Sequence, residues 1–459
     1  MNLPRKALSV FSLVMINVIA VDSLRTLPLS AVLGLPLISF YLLAAVIFFI
    51  PVALVAAELA TTYPQTGGIY IWVREAFGAK VGFLAIWFQW IYNIVWYPTI
   101  LAFIVSASAY LFNPLLADNP TYLLMMGVLL FWLFTLLNAF GMRLSGFISI
   151  LSAIVGTILP MTALIVFGGM WLFQHYPLAI DLHGSWLPAF HSWGDLALFP
   201  GILFGLLGME MSATHAEEVR NPQRDYPRAL AYSTLIIFST LMFGSLSIIL
   251  VIAPENLSVV SGLVDACRLF AKAYHLPWLP QLIACLIIVG ALGSVSAWII
   301  GPTKGLLAAA KEGVFPKALA RVNRHGAPTA ILFMQGVVFT VLCASFQLFD
   351  TLNASYWLLS DLCAQLALIV YVLMFAAAIQ LRRQRPPHPG AYRIPGPPVV
   401  LYLVAGLGLL GCVGAILIGF IPPTQISIHR PYLFSLCLVG GIVITSLSGL
   451  GLCRRKNTP

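Results

Sequence analysis

Four ionisable side chains lie inside stretches of the sequence that are otherwise apolar. They are Asp22 and Arg25 in VIAVDSLRTLP, Glu210 in LFPGILFGLLGMEMSATH and Asp361 in YWLLSDLCAQLALIV. A charge inside a bilayer costs about 2.5–3.5 kcal/mol on insertion scales, so such residues line cavities or pair with one another. A guanidinium binds a carboxylate through two parallel hydrogen bonds, and a carboxylate accepts a proton or an ammonium group. These positions therefore predict the binding of ions, protons or zwitterions.

Alternative interpretations of these residues stay open at this point. Asp22 and Arg25 are three apart, which allows a neutralising ion pair on a helix. If the chain unwinds between them, Arg25 can bind a substrate carboxylate and Asp22 an ammonium or a proton. Glu210 is either a proton relay or gate, or a structural partner for the amides of a helix break. Asp361 either completes a charge set with Arg25 or lies near the outer surface and stays hydrated.

The composition indicates that a lipid bilayer surrounds these residues. Of the 459 residues, 60% belong to the set AVILMFWYC and 8% are charged, whereas soluble domains are about 25% charged. A spanning helix needs roughly 20 apolar residues, and we predict an all-α integral membrane protein with twelve such helices. The predicted spans are 7–30, 37–60, 82–112, 121–139, 146–172, 195–217, 229–253, 281–310, 328–347, 354–381, 398–421 and 431–453.

The distribution of basic residues predicts how the chain is oriented. The protein has 24 Lys and Arg against 15 Asp and Glu, which gives a net charge of +9. If both termini face the cytoplasm, 20 of the 24 basic residues lie on that side, and only Arg268, Lys272 and Arg430 lie outside. This asymmetry follows the positive-inside rule and explains the charge without a nucleic-acid partner. We expect a multi-pass protein of the cytoplasmic (inner) membrane.

Other classes of function lack their sequence signatures. The seven cysteines show no CxxC spacing and the eight histidines no HExxH motif, so we expect neither a metal nor another cofactor. We find no nucleophile with a matching base, which disfavours an enzyme, and no GxxxxGK[ST] motif, which disfavours ATP-driven transport. A transport-dead sensor or a channel is a remote alternative.

Two predicted spans contain helix-breaking residues beside their charges. Pro28 follows Arg25 in the first span, and Pro200 and Gly208 precede Glu210 in the sixth. Because proline and glycine lower the cost of unwinding, we expect both helices to be discontinuous and to line a cavity. Interrupted segments at matching places in two halves of a chain are typical of inverted-repeat secondary transporters.

Three longer motifs carry a resemblance to a known family. They are YPQTGGIYIWVREAFG (63–78), GMEMSATHAEEVRNPQRDYPRAL (208–230) and AWIIGPTKGLLAAAKEGVFP (297–316). They resemble the amino acid–polyamine–organocation superfamily, and the second and third are most similar to its bacterial glutamate/γ-aminobutyrate antiporter branch. The resemblance implies a leucine-transporter-type fold of five plus five inverted helices with two more appended. Within one transmembrane domain (1–459), these parts correspond to 7–172, 195–382 and 398–454.

The resemblance also implies an activity. It is secondary transport of amino acids by alternating access, as amino acid/amine antiport or as proton-coupled uptake. Arg25 favours acidic or neutral amino acids, whereas Asp22, Glu210 and Asp361 favour basic amino acids or polyamines. The expected partners are a small amino acid or amine, the lipid bilayer and protons, and the chain is expected to be a monomer or a homodimer.

Site residues follow from the same resemblance. Val21, Asp22 and Ser23 occupy the places where family members carry a Gly-Ser-Gly type break that holds the substrate carboxylate, so two glycines are missing here. Phe204 corresponds to an aromatic gate, and the carbonyls of 205–207 to those that receive the substrate ammonium. Asn93, four positions after Gln89, and Ser294, four positions before Trp298, come instead from the spacing of residues on one helix face, which we expect to border the cavity. The predicted substrate-binding residues are Val21, Asp22, Ser23, Leu24, Arg25, Asn93, Phe204, Gly205, Leu206, Leu207, Gly208 and Ser294. The candidates for gating or proton coupling are Glu210, Asp361 and Trp298.

Overall fold

The computed structural model describes residues 8–65, 67–139, 151–188, 190–213, 219–324, 326–343, 352–384, 391–423 and 431–453. Within these ranges the regular structure is helical and no strand occurs, which confirms the all-α prediction. This is the expected result for long apolar segments, because a helix satisfies its backbone hydrogen bonds internally. Arg430 and the ends of four predicted spans, at residue 7, 146–150, 214–217 and 344–347, lie outside the described ranges.

Fifteen helices are numbered here along the described chain. They are α1 (Val10–Val21), α2 (Thr26–Ala31), α3 (Leu37–Thr62), α4 (Ile69–Phe77), α5 (Ala79–Phe112), α6 (Pro120–Ala139), α7 (Leu151–Phe173), α8 (Phe199–Gly205), α9 (Pro222–Ile249), α10 (Gly262–Ala273), α11 (Leu279–Lys311), α12 (Thr329–Cys343), α13 (Leu352–Gln384), α14 (Val399–Gly419) and α15 (Pro431–Leu452). Eight of them, α3, α5, α6, α7, α9, α13, α14 and α15, are long and apolar enough to cross a membrane. Shorter apolar helices occupy three of the other predicted spans, at Val10–Val21, Trp193–Gly205 and Thr329–Cys343. The predicted span 281–310 lies within the 33-residue helix α11, whose segment Leu279–Val295 is apolar.

Two of the long helices contain a π-helical turn just before a proline. A π-helical turn at Ala45–Phe49 precedes Pro51 in α3, and another at Ile154–Ile158 precedes Pro160 in α7. A proline ring clashes with the carbonyl four residues earlier in a regular α-helix. A widened turn at that place relieves the clash, and π-turns occur as single insertions of this kind.

The helix α5 lies at the centre of the bundle. It packs against α4, α6, α11 and α13, and almost all of its side chains are buried. α11 in turn crosses α7 at two glycines, where a Cβ on Gly156 would lie 2.1 Å from the Gly290 nitrogen. This close approach fixes α11 against the bundle, with Ser294 and Trp298 one and two turns further along the same helix.

The first helix break lies between α1 and α2. α1 ends at Val21, and Asp22 has extended backbone angles (φ −76°, ψ 95°). The chain then turns, and both the backbone N–H and the hydroxyl of Thr26 donate to the Ser23 carbonyl, at 3.0 and 2.7 Å. Pro28 lies in the first turn of α2, where its missing N–H has no intrahelical partner to lose. The proline therefore fits a helix that restarts here and disfavours one that continues.

The second break follows α8. The helix ends at Gly205, and Gly208 has a φ of +114°, which residues with a Cβ rarely adopt. A Cβ at Gly208 would lie 3.1 Å from the Trp298 ring and 3.3 Å from the Val21 side chain. The two breaks therefore lie next to each other, with the Trp298 ring against the second.

Candidate functional site

A small cavity lies between the two helix breaks. Its volume is about 30 Å³, enough for about two water molecules. Its walls come from α1, α2, α5, α8, α11 and α13 and from the chain that follows α1 and α8. The predicted site residues that line it are Val21, Ser23, Arg25, Asn93, Phe204, Leu207, Ser294 and Trp298. It is lined as well by Ala20, Thr26, Tyr92, Trp96 and Cys363.

Arg25 is the one charged side chain among the described residues that line this cavity. It is 1% exposed, and its Nη1 donates to the Thr99 hydroxyl at 3.2 Å, the Tyr356 hydroxyl at 3.4 Å and the Ser360 hydroxyl at 3.5 Å. Its Cζ lies 4.8 Å from the centre of the Phe204 ring. All four partners are neutral, and no carboxylate of the described chain lies within 4.0 Å of the guanidinium.

Asp22 faces away from this cavity. Its Oδ2 accepts a hydrogen bond from the Thr240 hydroxyl of α9 at 2.8 Å, and its Oδ1 accepts none from the described residues. Asp22 is buried but does not line the cavity. The break after Val21 thus sends Asp22 and Arg25 to different partners, and the ion pair that their spacing allows does not form.

Asn93 and Trp298 hold one wall of the cavity in place. The Asn93 amide Nδ2 donates to the Tyr97 hydroxyl at 2.9 Å and to the Trp298 carbonyl at 2.6 Å. The Trp298 indole donates to the Ala20 carbonyl at 3.0 Å, near the end of α1. Because both amide hydrogens of Asn93 are used, its orientation is determined. Its Oδ1 is left as an acceptor without a donor in the described chain.

Glu210 lies behind the second helix break. It is buried, and its Oε2 accepts a hydrogen bond from the Tyr371 hydroxyl of α13. The same hydroxyl accepts the Gly208 N–H at 2.8 Å. Tyr371 therefore joins the amide exposed by the break to the carboxylate that follows it. Glu210 does not line the cavity.

Asp361 lies on a different face of α13 from the residues that contact Arg25. It is 1% exposed, and its Oδ1 would lie 3.1 Å from a Cβ on Gly419 of α14. The preceding residue, Ser360, takes the position facing Arg25, because successive side chains on a helix point about 100° apart. Contrary to both interpretations, Asp361 is buried rather than exposed at the outer surface, and it forms no ion pair with Arg25 in the described chain.

The remaining predicted residues surround the cavity without lining it. Five of them are Asp22, Leu24, Gly205, Leu206 and Gly208. Of the residues that the sequence did not suggest, Trp96 lies three positions after Asn93 on the same helix, so the 3.6-residue period could have found it. Tyr92 lies four positions before Trp96, one turn earlier on the same face as Trp96. Nothing in the sequence around Cys363 distinguishes it from the other apolar positions of its span.

Polar contacts join helices at one end of the bundle, where α3 stops and α4 begins. The Tyr70 hydroxyl donates to Glu312 Oε2 at 2.6 Å, and Arg74 contacts the other oxygen of the same carboxylate. Burial and the neighbouring Glu312 carboxylate raise the pKa of Tyr70, so the phenol remains a donor at neutral pH. Arg382 of α13 forms an ion pair with Glu58 of α3. The contacts to Glu312 connect α4 to the end of α11, and the Glu58–Arg382 pair connects α3 to α13.

We predict that Tyr371→Phe weakens the second helix break. The change removes the hydroxyl that joins Gly208 to Glu210 and leaves two buried polar groups without a partner, which costs about 1–3 kcal/mol for each. The thermal unfolding midpoint of the purified protein should therefore fall. Tyr402→Phe is the matched control, because Tyr402 makes a ring contact with Arg383 and no hydrogen bond of its hydroxyl is found among the described residues. Equal midpoints for the two variants would contradict the assigned role of the Tyr371 hydroxyl.

Comparison with known proteins shows similarity to membrane transporters. The family described as amino acid permease matches residues 7–444. An uncharacterized transporter of Legionella pneumophila is 59% identical over 97% of this chain and 96% of its own length. A glutamate/gamma-aminobutyrate antiporter of Lactococcus lactis is 29% identical over 96% of this chain and 89% of its own. A probable agmatine/putrescine antiporter of Lactococcus lactis is 26% identical over 83% of this chain and 81% of its own.

Proposed function

Because the chain belongs to the amino acid permease family, we propose that it is a secondary transporter that exchanges amino acids by alternating access. All twelve predicted segments then cross the membrane, with the first and sixth discontinuous. The five-helix repeats occupy 7–172 and 195–382, and 398–454 forms the two appended helices. The adjoining breaks after α1 and α8 support this arrangement, since inverted repeats place interrupted helices around a site at the midplane.

We propose that the guanidinium of Arg25 binds the substrate carboxylate. The observation that carries this proposal is that Arg25 lines the cavity with no carboxylate of the described residues beside it. A guanidinium stays charged in proteins and presents donors that match a carboxylate through two hydrogen bonds. Its hydroxyl contacts, at 3.2–3.5 Å, lie at or beyond the long end of the normal range. A bound carboxylate would supply shorter, charge-assisted bonds.

The substrate ammonium has a different acceptor in this proposal. The Oδ1 of Asn93 accepts no hydrogen bond from the residues that the structure describes, and Asn93 lines the same cavity as Arg25. An ammonium group has three donors and requires acceptors of this kind. The hydroxyls of Ser23 and Ser294, also on the cavity wall, offer further acceptors. Arg25 offers donors for a carboxylate and Asn93 offers an acceptor for an ammonium group, so the cavity suits a zwitterion.

This distribution of charge favours acidic or neutral amino acids over polyamines. A diamine needs carboxylates at the site, but Asp22, Glu210 and Asp361 do not line the cavity, and Arg25 would repel a cation. The similarity to a glutamate/gamma-aminobutyrate antiporter supports the same choice. We assign Asp22 and Glu210, both buried, as the candidates to carry a proton if transport is proton-coupled.

The small size of the cavity bears on the transport cycle. A space for about two water molecules is smaller than any amino acid, so the described conformation is closed around its site. The ring of Phe204, which lies against Arg25, must move before a substrate carboxylate can reach the guanidinium. We propose Phe204 as the residue that opens, in keeping with the aromatic gate that the sequence resemblance implies.

We predict that Arg25→Lys impairs transport of substrates that carry a carboxylate. Lysine keeps the charge but loses the two-pronged geometry, so the KM for glutamate should rise about tenfold or more, equivalent to about 1.4 kcal/mol. Counterflow in preloaded proteoliposomes measures this, with labelled glutamate, leucine and putrescine as test substrates. Arg321→Lys, at an exposed position, is the matched control. The unfolding midpoint should change little.

Two results would contradict the role of Arg25. One is an unchanged KM for every amino acid in the Arg25→Lys variant. The other is an Arg25→Ala variant that loses stability and regains it when Asp22 is changed to Asn, because such a rescue identifies an internal charge pair.

We also propose that both termini face the cytoplasm, as the 20-to-3 distribution of basic residues implies. The 173–194 segment is then outside and the 311–327 segment inside. In a background with Cys267 replaced by serine, we predict that a membrane-impermeant maleimide labels His183→Cys in intact cells and does not label Arg321→Cys. Both positions are exposed in the structure, so accessibility differs only by side. Labelling of Arg321→Cys would overturn the orientation.

A further inference from the structure

A second cavity lies at one end of the bundle, where α5 ends and α11 begins. Its volume is about 570 Å³, within the range of about 300–1,000 Å³ that is typical of ligand pockets. Arg268 and Lys272 of α10 line it, together with His275. α11 starts at this cavity and runs to Lys311 at the opposite end of the bundle. No Asp or Glu of the described chain lines the cavity, so its charge is positive.

The two basic side chains are available to a ligand. Arg268 lies 3.8 Å from Asp265 with 55% of its side chain exposed, and exposed pairs of this kind contribute little. The Asp265 carboxylate already accepts hydrogen bonds from Tyr110 at 2.7 Å and from Ser261 at 2.9 Å. Lys272 has no carboxylate within 4.0 Å in the described ranges. Both cations can therefore turn to an anion in the cavity.

The wall that carries His275 is fixed in shape. His275 has a φ of +56°, a conformation that residues with a Cβ adopt only when their surroundings enforce it. The adjacent Tyr274 donates to the Phe167 carbonyl of α7 at 2.8 Å. Pro277 and Pro280 also line the cavity and restrict the backbone that leads into α11. A preformed site of this kind loses little conformational entropy on binding.

Apolar side chains next to this cavity mark the edge of the bilayer. Trp278, beside the first residue of α11, is exposed, and so is Leu282 one turn further along. Phe112, at the end of α5, is exposed as well. Tryptophan is enriched at the level of the lipid headgroups, and an exposed leucine just beyond it suits acyl chains. The cavity therefore opens where the headgroups of the membrane lie.

We propose that this cavity binds the phosphate of an anionic phospholipid, with Arg268 and Lys272 on the phosphate and the acyl chains along α11 at Leu282. Loops on the outer side tend to lack basic residues, yet two of the three Lys and Arg that we place outside line this one cavity. The assignment to the outer leaflet rests on the orientation proposed above. The proposed binding of a phosphate by Arg268 and Lys272 does not depend on which substrate the protein transports.

The test is the thermal unfolding midpoint of the purified protein with added phosphatidylglycerol or, separately, phosphatidylcholine. A ligand that binds the folded state raises the midpoint, so we expect phosphatidylglycerol to raise it by several degrees more than phosphatidylcholine. The double variant Arg268→Gln/Lys272→Gln should lose most of that difference. The control variant Lys311→Gln/Arg321→Gln removes the same charges from exposed positions at the other end and should keep it.

The comparison between the two lipids within one variant corrects for any general loss of stability. An equal phosphatidylglycerol effect in the double variant would overturn the site. A third arm adds free glutamate without anionic lipid. If glutamate reproduces the shift in the wild type and not in the double variant, the cavity takes a free carboxylate and the lipid assignment is wrong. Glutamate counterflow by the double variant tests the proposed transport function separately. If the double variant still exchanges glutamate, a failed lipid effect concerns this cavity and not the transport function.

Discussion

A full positive charge, the guanidinium of Arg25, is held among apolar helices, and no carboxylate from the described part of the chain lies within 4.0 Å of it. Its cost is reduced by three hydroxyl oxygens and the face of the Phe204 ring, and a cation over an aromatic ring gains about 2 kcal/mol when water is excluded. These neutral partners disperse the charge but do not cancel it. In our proposal, the cavity beside Arg25 therefore receives an anion that comes from outside the chain.

The helix break before Arg25 makes this arrangement possible. On a continuous helix, Asp22 would lie on the same face as Arg25 and the two would neutralise each other. The extended conformation at Asp22 and the turn that follows send its carboxylate to Thr240 instead. Pro28 favours the interruption. The helix is therefore interrupted here even though the two glycines that the family resemblance leads one to expect are missing. In our proposal, the side chain of Arg25 binds the substrate carboxylate in place of backbone amides.

The second break is built differently. Gly208 adopts a backbone conformation with positive φ, and its amide and the Glu210 carboxylate are both joined to the Tyr371 hydroxyl of α13. This link connects the broken segment to a long helix whose Ser360 also contacts Arg25. α13 therefore contacts both breaks, and a movement of this helix changes the surroundings of the guanidinium and of the buried carboxylate together.

Local sequence features predicted much of this structure, and long-range packing accounts for the rest. The apolar segments predicted the helices, and Pro28 and Gly208 indicated where regular helix ends, because these residues act within a few positions of themselves. The hydroxyls around Arg25 were not predicted. Thr99 and Tyr356 are 74 and 331 positions away in the chain, and a hydroxyl on an apolar helix carries no sign of its partner. Asp361 was misplaced for the same reason, since only the packing of α13 against α14 decides which face receives it.

The central proposal is that the binding site requires a substrate carboxylate, because Arg25 is the one charged group among the described residues that line it. The most direct measurement is the affinity of the wild-type protein, by isothermal titration, for an amino acid that it binds and for the amine formed by removing the α-carboxylate, such as leucine and isoamylamine. Because an unpaired buried charge costs about 3–5 kcal/mol, we predict that the amine binds at least about a hundredfold more weakly, equivalent to about 2.8 kcal/mol. Equal or tighter binding of the amine would contradict the account.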